Sequence, residues 1–245
     1  MMFDCFKKKE REPKTTPGQE RDVDIARPSK NDIKAILFYA GHLPSRYGTR
    51  TYNRIEEHFS NALTVDLLVK EWKKTPIRRR QRKTESYKTY CAQVQKDIKE
   101  YAKDIKCELK EILVIELHYN AASVPEARGG YFMIKDGDDR SASIGKTLID
   151  HFVDNTPMSY RKSYKGKEGI RGVDSERRGS GWIYASARYG SPTLLFEPFF
   201  CDYKTEETEW LFGEEELDSY ERVDQCEKIA KKMSKLWIDA LDKVI

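Results

Sequence analysis

The chain has 245 residues, 38% hydrophobic and 35% charged, and a net charge of +4 from 45 basic and 41 acidic side chains. That length suits one α/β domain with a sizeable core, and an aromatic content of 11% argues against disorder. No run approaches the roughly 18 apolar residues needed to cross a bilayer, the small basic excess permits but does not demand an anionic polymer as partner, and five widely spaced cysteines without a CxxC pair argue against both a disulfide framework and a thiolate zinc site.

Residues 1–30 are rich in Lys, Glu, Pro and Thr and read as a flexible charged leader. No apolar segment follows the Lys7–Lys9 run, so no secretory signal is expected and synthesis in a cytoplasm is. The domain then occupies residues 31–245. Lys34–His42 is an apolar run ending in Gly-His, which suits a buried strand entering a loop. A helix is expected over 53–73, with Ile55, Phe59, Ala62, Val65, Val69 and Trp72 as its core stripe. The basic segment Lys74–Lys83 reads as a solvated loop or short edge strand. Tyr87, Cys91, Val94, Ile98, Ala102 and Ile105 mark a second helix, and Glu111–His118 a second buried strand that again ends at a histidine.

Gly130–Lys135 reads as a third strand and Ser141–Val153 as a helix. Residues 154–181 lack periodicity and read as a long loop, a place where function often sits. Trp182–Arg188 and Pro192–Phe200 read as strands joined by a tight turn. An amphipathic helix over Tyr220–Val244 closes the chain, with Val223, Cys226, Ile229, Met233, Trp237, Ala240 and Val244 as its stripe. Apolar strands alternating with amphipathic helices predict a single α/β domain with a twisted, mostly parallel sheet flanked by helices. There is no internal repeat.

Two of the four histidines, His42 and His118, follow the C-terminal ends of expected buried strands, the edge where open α/β sheets bind ligands. One such histidine is a plain strand end; two at matching positions suggest a shared site. Glu56 and Glu57 lie in the first turn of the first helix, where the dipole favours a carboxylate in any case. Glu197 sits inside Leu194–Phe200, and a carboxylate buried there is costly unless paired, metal-bound or functional. Two imidazoles and one carboxylate make a catalytic zinc set with a position left open for water. A neighbouring carboxylate then takes a proton from that water and returns it to the leaving group. His58 and His151, on expected helices, read as surface or packing residues.

The order His, Glu, His, Glu, with its local sequence, resembles the zinc-dependent N-acetylmuramoyl-L-alanine amidases of the type-3 family, found in bacterial cell-wall remodelling and phage lysins. The resemblance spans about residues 34–243. It rests on Gly41-His42, Gly48, Glu57 with Asn61, His118-Tyr119-Asn120-Ala121, Pro192–Glu197 and the closing helix. It implies Zn2+ held by His42, Glu57 and His118, with Glu197 as catalytic acid/base and Asn120 and Arg171 toward substrate. Glu56 stays open as the alternative ligand, since helix phase is not fixed to one residue. Leu43, Pro44 and Arg46 stand where the family has Gly-Gly and Asp, and Arg78–Lys83 replaces an acidic segment. The substrate so implied is peptidoglycan, cut between N-acetylmuramic acid and L-alanine, with no nucleic acid expected. The lack of a signal fits a phage lysin. The rivals are a zinc carboxypeptidase-like peptidase and a non-catalytic phage structural or binding protein that works through its basic run.

Overall fold

The computed structural model describes residues 33–46, 48–125, 127–175, 180–213 and 217–245. The expected leader, 1–30, lies outside them. In chain order the strands are β1 (Ala35–Ala40), β2 (Ile77–Gln81), β3 (Ile112–Leu117), β4 (Tyr131–Lys135), β5 (Ser163–Tyr164), β6 (Lys167–Glu168), β7 (Ile170–Val173) and β8 (Thr193–Glu197). The helices are α1 (Glu57–Glu71), α2 (Tyr87–Ile105), α3 (Asp139–Asn155), α4 (Gly181–Ser186), α5 (Glu206–Phe212) and α6 (Ser219–Leu241).

Every residue of β1 and β3 is buried. A strand sends successive side chains to opposite faces, so a strand buried along its whole length needs cover on both sides. Ile36 and Phe38 of β1 and Leu113, Ile115 and Leu117 of β3 join a core beneath α1, α3 and α6. Ala35, Leu37 and Tyr39, with Ile112 and Val114, join a second core beneath α2 and α4. The result is a sheet between two helical layers. Trp237 of α6 anchors the first core, meeting the rings of Phe38, Phe152 and Phe196 edge-on at 5.4, 5.1 and 5.3 Å.

Six strands form the sheet in the order β2-β1-β3-β8-β4-β7. The first four run parallel. β4 joins β8 antiparallel, and β7 runs with β4. Ala40 is level with Leu117, and Leu117 with Phe196, so the C-terminal ends of β1, β3 and β8 share one edge. Segments that follow those ends are thereby brought together.

The basic segment supplies β2 at the sheet edge. Arg78 pairs with Asp104, Arg79 with Asp66, and Arg80 with Asp97 and Glu100. Charged side chains along an edge strand oppose pairing with another sheet. Among the described residues no helix is long and apolar enough to cross a membrane.

Several local expectations are corrected. Trp182–Arg188 is helical, as α4 and a following 3-10 turn over Ala187–Tyr189 that stops at Gly190 in the left-handed region. Its apolar residues are too few to separate a strand period from a helical one. The segment 154–181 is not wholly loop: it carries β5, β6 and the edge strand β7. Helix α1 begins at Glu57 rather than 53. Phe59 and Val69 are exposed at 46% and 38%, and His58, Asn61 and Leu68 are buried in α1. Val223 of α6 is likewise exposed. Helix α5, whose first turn is acidic, was not expected; Thr205 and Thr208 form its capping box.

Candidate active site

The segment after β1 turns at once. Gly41 N–H donates to Leu117 O at 2.8 Å, and His42 takes a left-handed backbone, φ 66°. His58 supports that turn: its Nδ1 lies 2.8 Å from Gly41 O, which places the ring proton on Nδ1. His58 is buried and has a structural task, more specific than surface packing. The loop returns through Gly48, at φ +79°. A Cβ there would lie 2.3 Å from His42 Cδ2 and 2.4 Å from Glu57 Oε2. Only glycine meets both demands.

Glu57 is the first residue of α1 and is wholly buried. Its carboxylate is fixed on both oxygens: Oε2 accepts from Thr49 N–H at 2.8 Å and Oε1 from Tyr119 N–H at 2.9 Å. Each oxygen also faces a histidine, His42 Nε2 at 3.2 Å from Oε2 and His118 Nδ1 at 2.9 Å from Oε1. One turn along α1, Asn61 Nδ2 donates to Leu117 O and so pins the strand end that presents His118. The imidazoles meet edge to face, centroids 4.9 Å apart. One ligand atom from each of His42, Glu57 and His118 lies within 4.8 Å of the others. Glu56 instead turns outward to Arg50, at 3.0 Å.

The charges follow from this packing. Burial alone would raise the Glu57 carboxyl, yet the hydrogen bonds from His118 and His42 hold it down at about 2. Burial works against a charged His118, but Glu116 and Glu57 together lift it well above the ordinary imidazole range.

Glu197 ends β8 on the sheet face shared by Leu195, while Phe196 faces the opposite core. Its Oε2 is buried and has no hydrogen-bond partner among the described residues. Burial raises its carboxyl to about 8, against a partial lowering by His118. It is therefore a largely protonated acid near neutral pH in the metal-free chain.

Glu197, His42 and His118 line one cavity of about 430 Å³ together with Asn120, Tyr131 and Arg171. Asn120 Nδ2 donates to Tyr131 Oη at 3.1 Å. Arg171 lies on β7 rather than in a loop, with its guanidinium 5.7 Å from the Tyr131 ring centroid. Tyr131 is directly across from Glu197 in the β4–β8 register. Three residues of this neighbourhood carried no sequence expectation of a role in it: Tyr131, Glu116 and, in its supporting task, His58. Glu116 had a readable signal, since it is a carboxylate inside the apolar strand β3.

Two imidazole nitrogens and a carboxylate oxygen form a donor set that suits a borderline divalent ion. A carboxyl on the wall of the same cavity, as Glu197 is, can in general take up or give a proton. The residues present thus fit a catalytic metal.

Residues 36–219 match the family model described as N-acetylmuramoyl-L-alanine amidase. Among solved structures, the chain is similar to the CwlD amidase of Clostridioides difficile, determined in complex with the GerS lipoprotein, with a TM-score of 0.54 and 15% identity over 85% of this chain and 98% of that one. It is also similar to the catalytic domain of CwlV, an N-acetylmuramoyl-L-alanine amidase of Bacillus (Paenibacillus) polymyxa var. colistinus. There the TM-score is 0.49 at 16% identity, over 86% of this chain and 99% of that one. Among curated proteins, none matches the chain by sequence.

Proposed function

The chain belongs to the N-acetylmuramoyl-L-alanine amidase family, whose reaction is hydrolysis of a peptidoglycan amide, and from that premise we propose that it cuts the bond between N-acetylmuramic acid and L-alanine with zinc held by His42, Glu57 and His118 and with Glu197 as general acid and base. The observation that carries the reading is the convergence of those three donors within 4.8 Å at the edge where β1 and β3 end, with Glu197, whose Oε2 has no hydrogen-bond partner among the described residues, lining the same cavity as both histidines.

When bound, zinc supplies a Lewis acid that makes water a nucleophile near neutral pH and polarises the scissile carbonyl. The chain's own residues do the rest. Glu57, clamped by Thr49 N–H and Tyr119 N–H, holds its oxygens toward both histidines, so the donor set is preformed. In the ionised form that a nearby dication favours, Glu197 accepts a proton from the attacking water and delivers it to the L-alanine nitrogen as the C–N bond breaks. A carboxyl raised by burial suits the delivery, because it binds its proton firmly enough to carry it across. Asn120 and Arg171 line the same cavity. The planar fork of Arg171 would meet a carboxylate of the stem peptide. No covalent intermediate with the chain is required.

Product analysis tests this reading. Digestion of purified peptidoglycan should free L-alanine amino termini one for one with lactyl carboxylates and leave glycan strands uncut. New reducing sugars would refute it, and so would peptide termini other than L-alanine. The latter pattern would instead mark a zinc peptidase.

A further inference from the structure

His118 has two ring nitrogens, and the structure gives each its own carboxylate. Nδ1 faces Glu57 Oε1 at 2.9 Å, on the side of the donor cluster. Nε2 faces Glu116 Oε2 at 3.5 Å, on the side away from it. Glu116 is two residues earlier in the chain, so both side chains leave β3 on the same face.

Glu116 is itself held. It is 3% exposed, and its Oε1 accepts from Tyr90 Oη of α2 at 2.6 Å. Tyr90 is buried too, with the Arg82 guanidinium 4.9 Å from its ring centroid and the Tyr39 ring edge-on to it. A tyrosine hydroxyl needs only one acceptor, which a neutral side chain would supply more cheaply than a carboxylate. The second oxygen of Glu116 is the part that tyrosine does not explain, and it is directed at His118.

A neutral imidazole carries one proton. A metal needs the lone pair of one nitrogen, so the proton must sit on the other, and a carboxylate beyond that nitrogen fixes the choice. We propose that Glu116 is the positioning residue of the site: it accepts from His118 Nε2–H, keeps Nδ1 free as the ligand atom, and is itself oriented by Tyr90. This rests on the metal-site reading above and adds a residue to it.

The test is zinc affinity and tautomer, not turnover. Zinc dissociation constants are measured by chelator competition for the wild type, Glu116→Gln and Glu116→Ala, with urea unfolding of the metal-free proteins as a check of fold. Nitrogen-15 NMR of the zinc-loaded protein reads which nitrogen of His118 carries the proton. The wild type should show Nε2–H, and both variants should bind zinc roughly 10- to 100-fold more weakly. Tyr90→Phe, which leaves the carboxylate in place, should weaken binding by less. Equal affinities in wild type and both variants would overturn the inference alone, as would a proton on Nδ1 in the loaded wild type. Failure of the wild type to bind zinc would overturn the metal-site reading and this inference together. If Glu116→Ala does not fold, the near-isosteric Gln variant decides.

Discussion

Replacing Glu197 with Gln removes a group that folding forces to hold its proton. The carboxyl titrates at about 8 in the folded, metal-free chain against 4.5 as its ordinary value. A carboxyl raised in this way makes the folded state bind more protons than the unfolded one between those two values. Stability therefore falls as pH rises from 4.5 toward 8, and is level above. The span of about 3.5 units, at about 1.4 kcal/mol per unit, sets a ceiling near 5 kcal/mol. Water entry and local relaxation reduce it, so about 2 to 5 kcal/mol is expected at pH 9 and under about 1 kcal/mol at pH 5. The amide of Gln adds an offset that does not vary with pH, so the change in the difference is the readout. Urea unfolding of metal-stripped wild type and Glu197→Gln at pH 5 and pH 9 measures it. The variant should gain on the wild type by that amount at the higher pH, while losing hydrolysis. With zinc present the gain should shrink, because a dication nearby favours the ionised carboxylate. Parallel loss of stability in the two proteins from pH 5 to pH 9 would refute the buried-acid reasoning.

Further outcomes follow from the same geometry. Gly48→Ala forces a Cβ to within 2.4 Å of both His42 and Glu57 at a left-handed φ; it should cost at least about 1–2 kcal/mol and weaken zinc binding, as calorimetric titration with zinc would show. His58→Ala leaves Gly41 O without its partner and should lower stability by about 1–3 kcal/mol in urea unfolding. Trp237→Ala empties the centre of the larger core and should cost about 3–5 kcal/mol, seen as a large drop in the urea midpoint with zinc stoichiometry preserved wherever the chain stays folded. Arg79→Ala breaks only an exposed pair with Asp66 and should change stability by less than about 1 kcal/mol in the same assay.

The parts of this fold that sequence revealed are those with strong local periodicity. β1 and β3 read correctly because a short, almost wholly apolar run bounded by polar residues has few other homes in an α/β domain. The strand-end positions of His42 and His118 followed directly. What escaped depends on partners distant in the chain. Nothing local in Tyr131–Lys135 says that β4 reverses direction against β8. β7 is four residues long and includes Gly172, too little for a period to appear. The choice between Glu56 and Glu57 turned on one residue of helix phase, and only the packed structure shows Glu57 buried and Glu56 against Arg50. Glu116 and Glu197 both stand in otherwise apolar strands, but Tyr90, the hydroxyl that holds Glu116 in place, lies 26 residues away on another element. The arginines of β2 looked like free positive charge until α1 and α2 supplied their carboxylates.

The central claim is a metal site made by His42, Glu57 and His118 that hydrolyses peptidoglycan. Elemental analysis of the purified wild type and of His118→Ala, read alongside release of L-alanine termini from peptidoglycan, tests it most directly. The account predicts about one zinc per wild-type chain, with metal and hydrolysis lost together in the variant and unfolding still cooperative. A wild type that takes up no metal, or a variant that keeps its hydrolysis without metal, would contradict it.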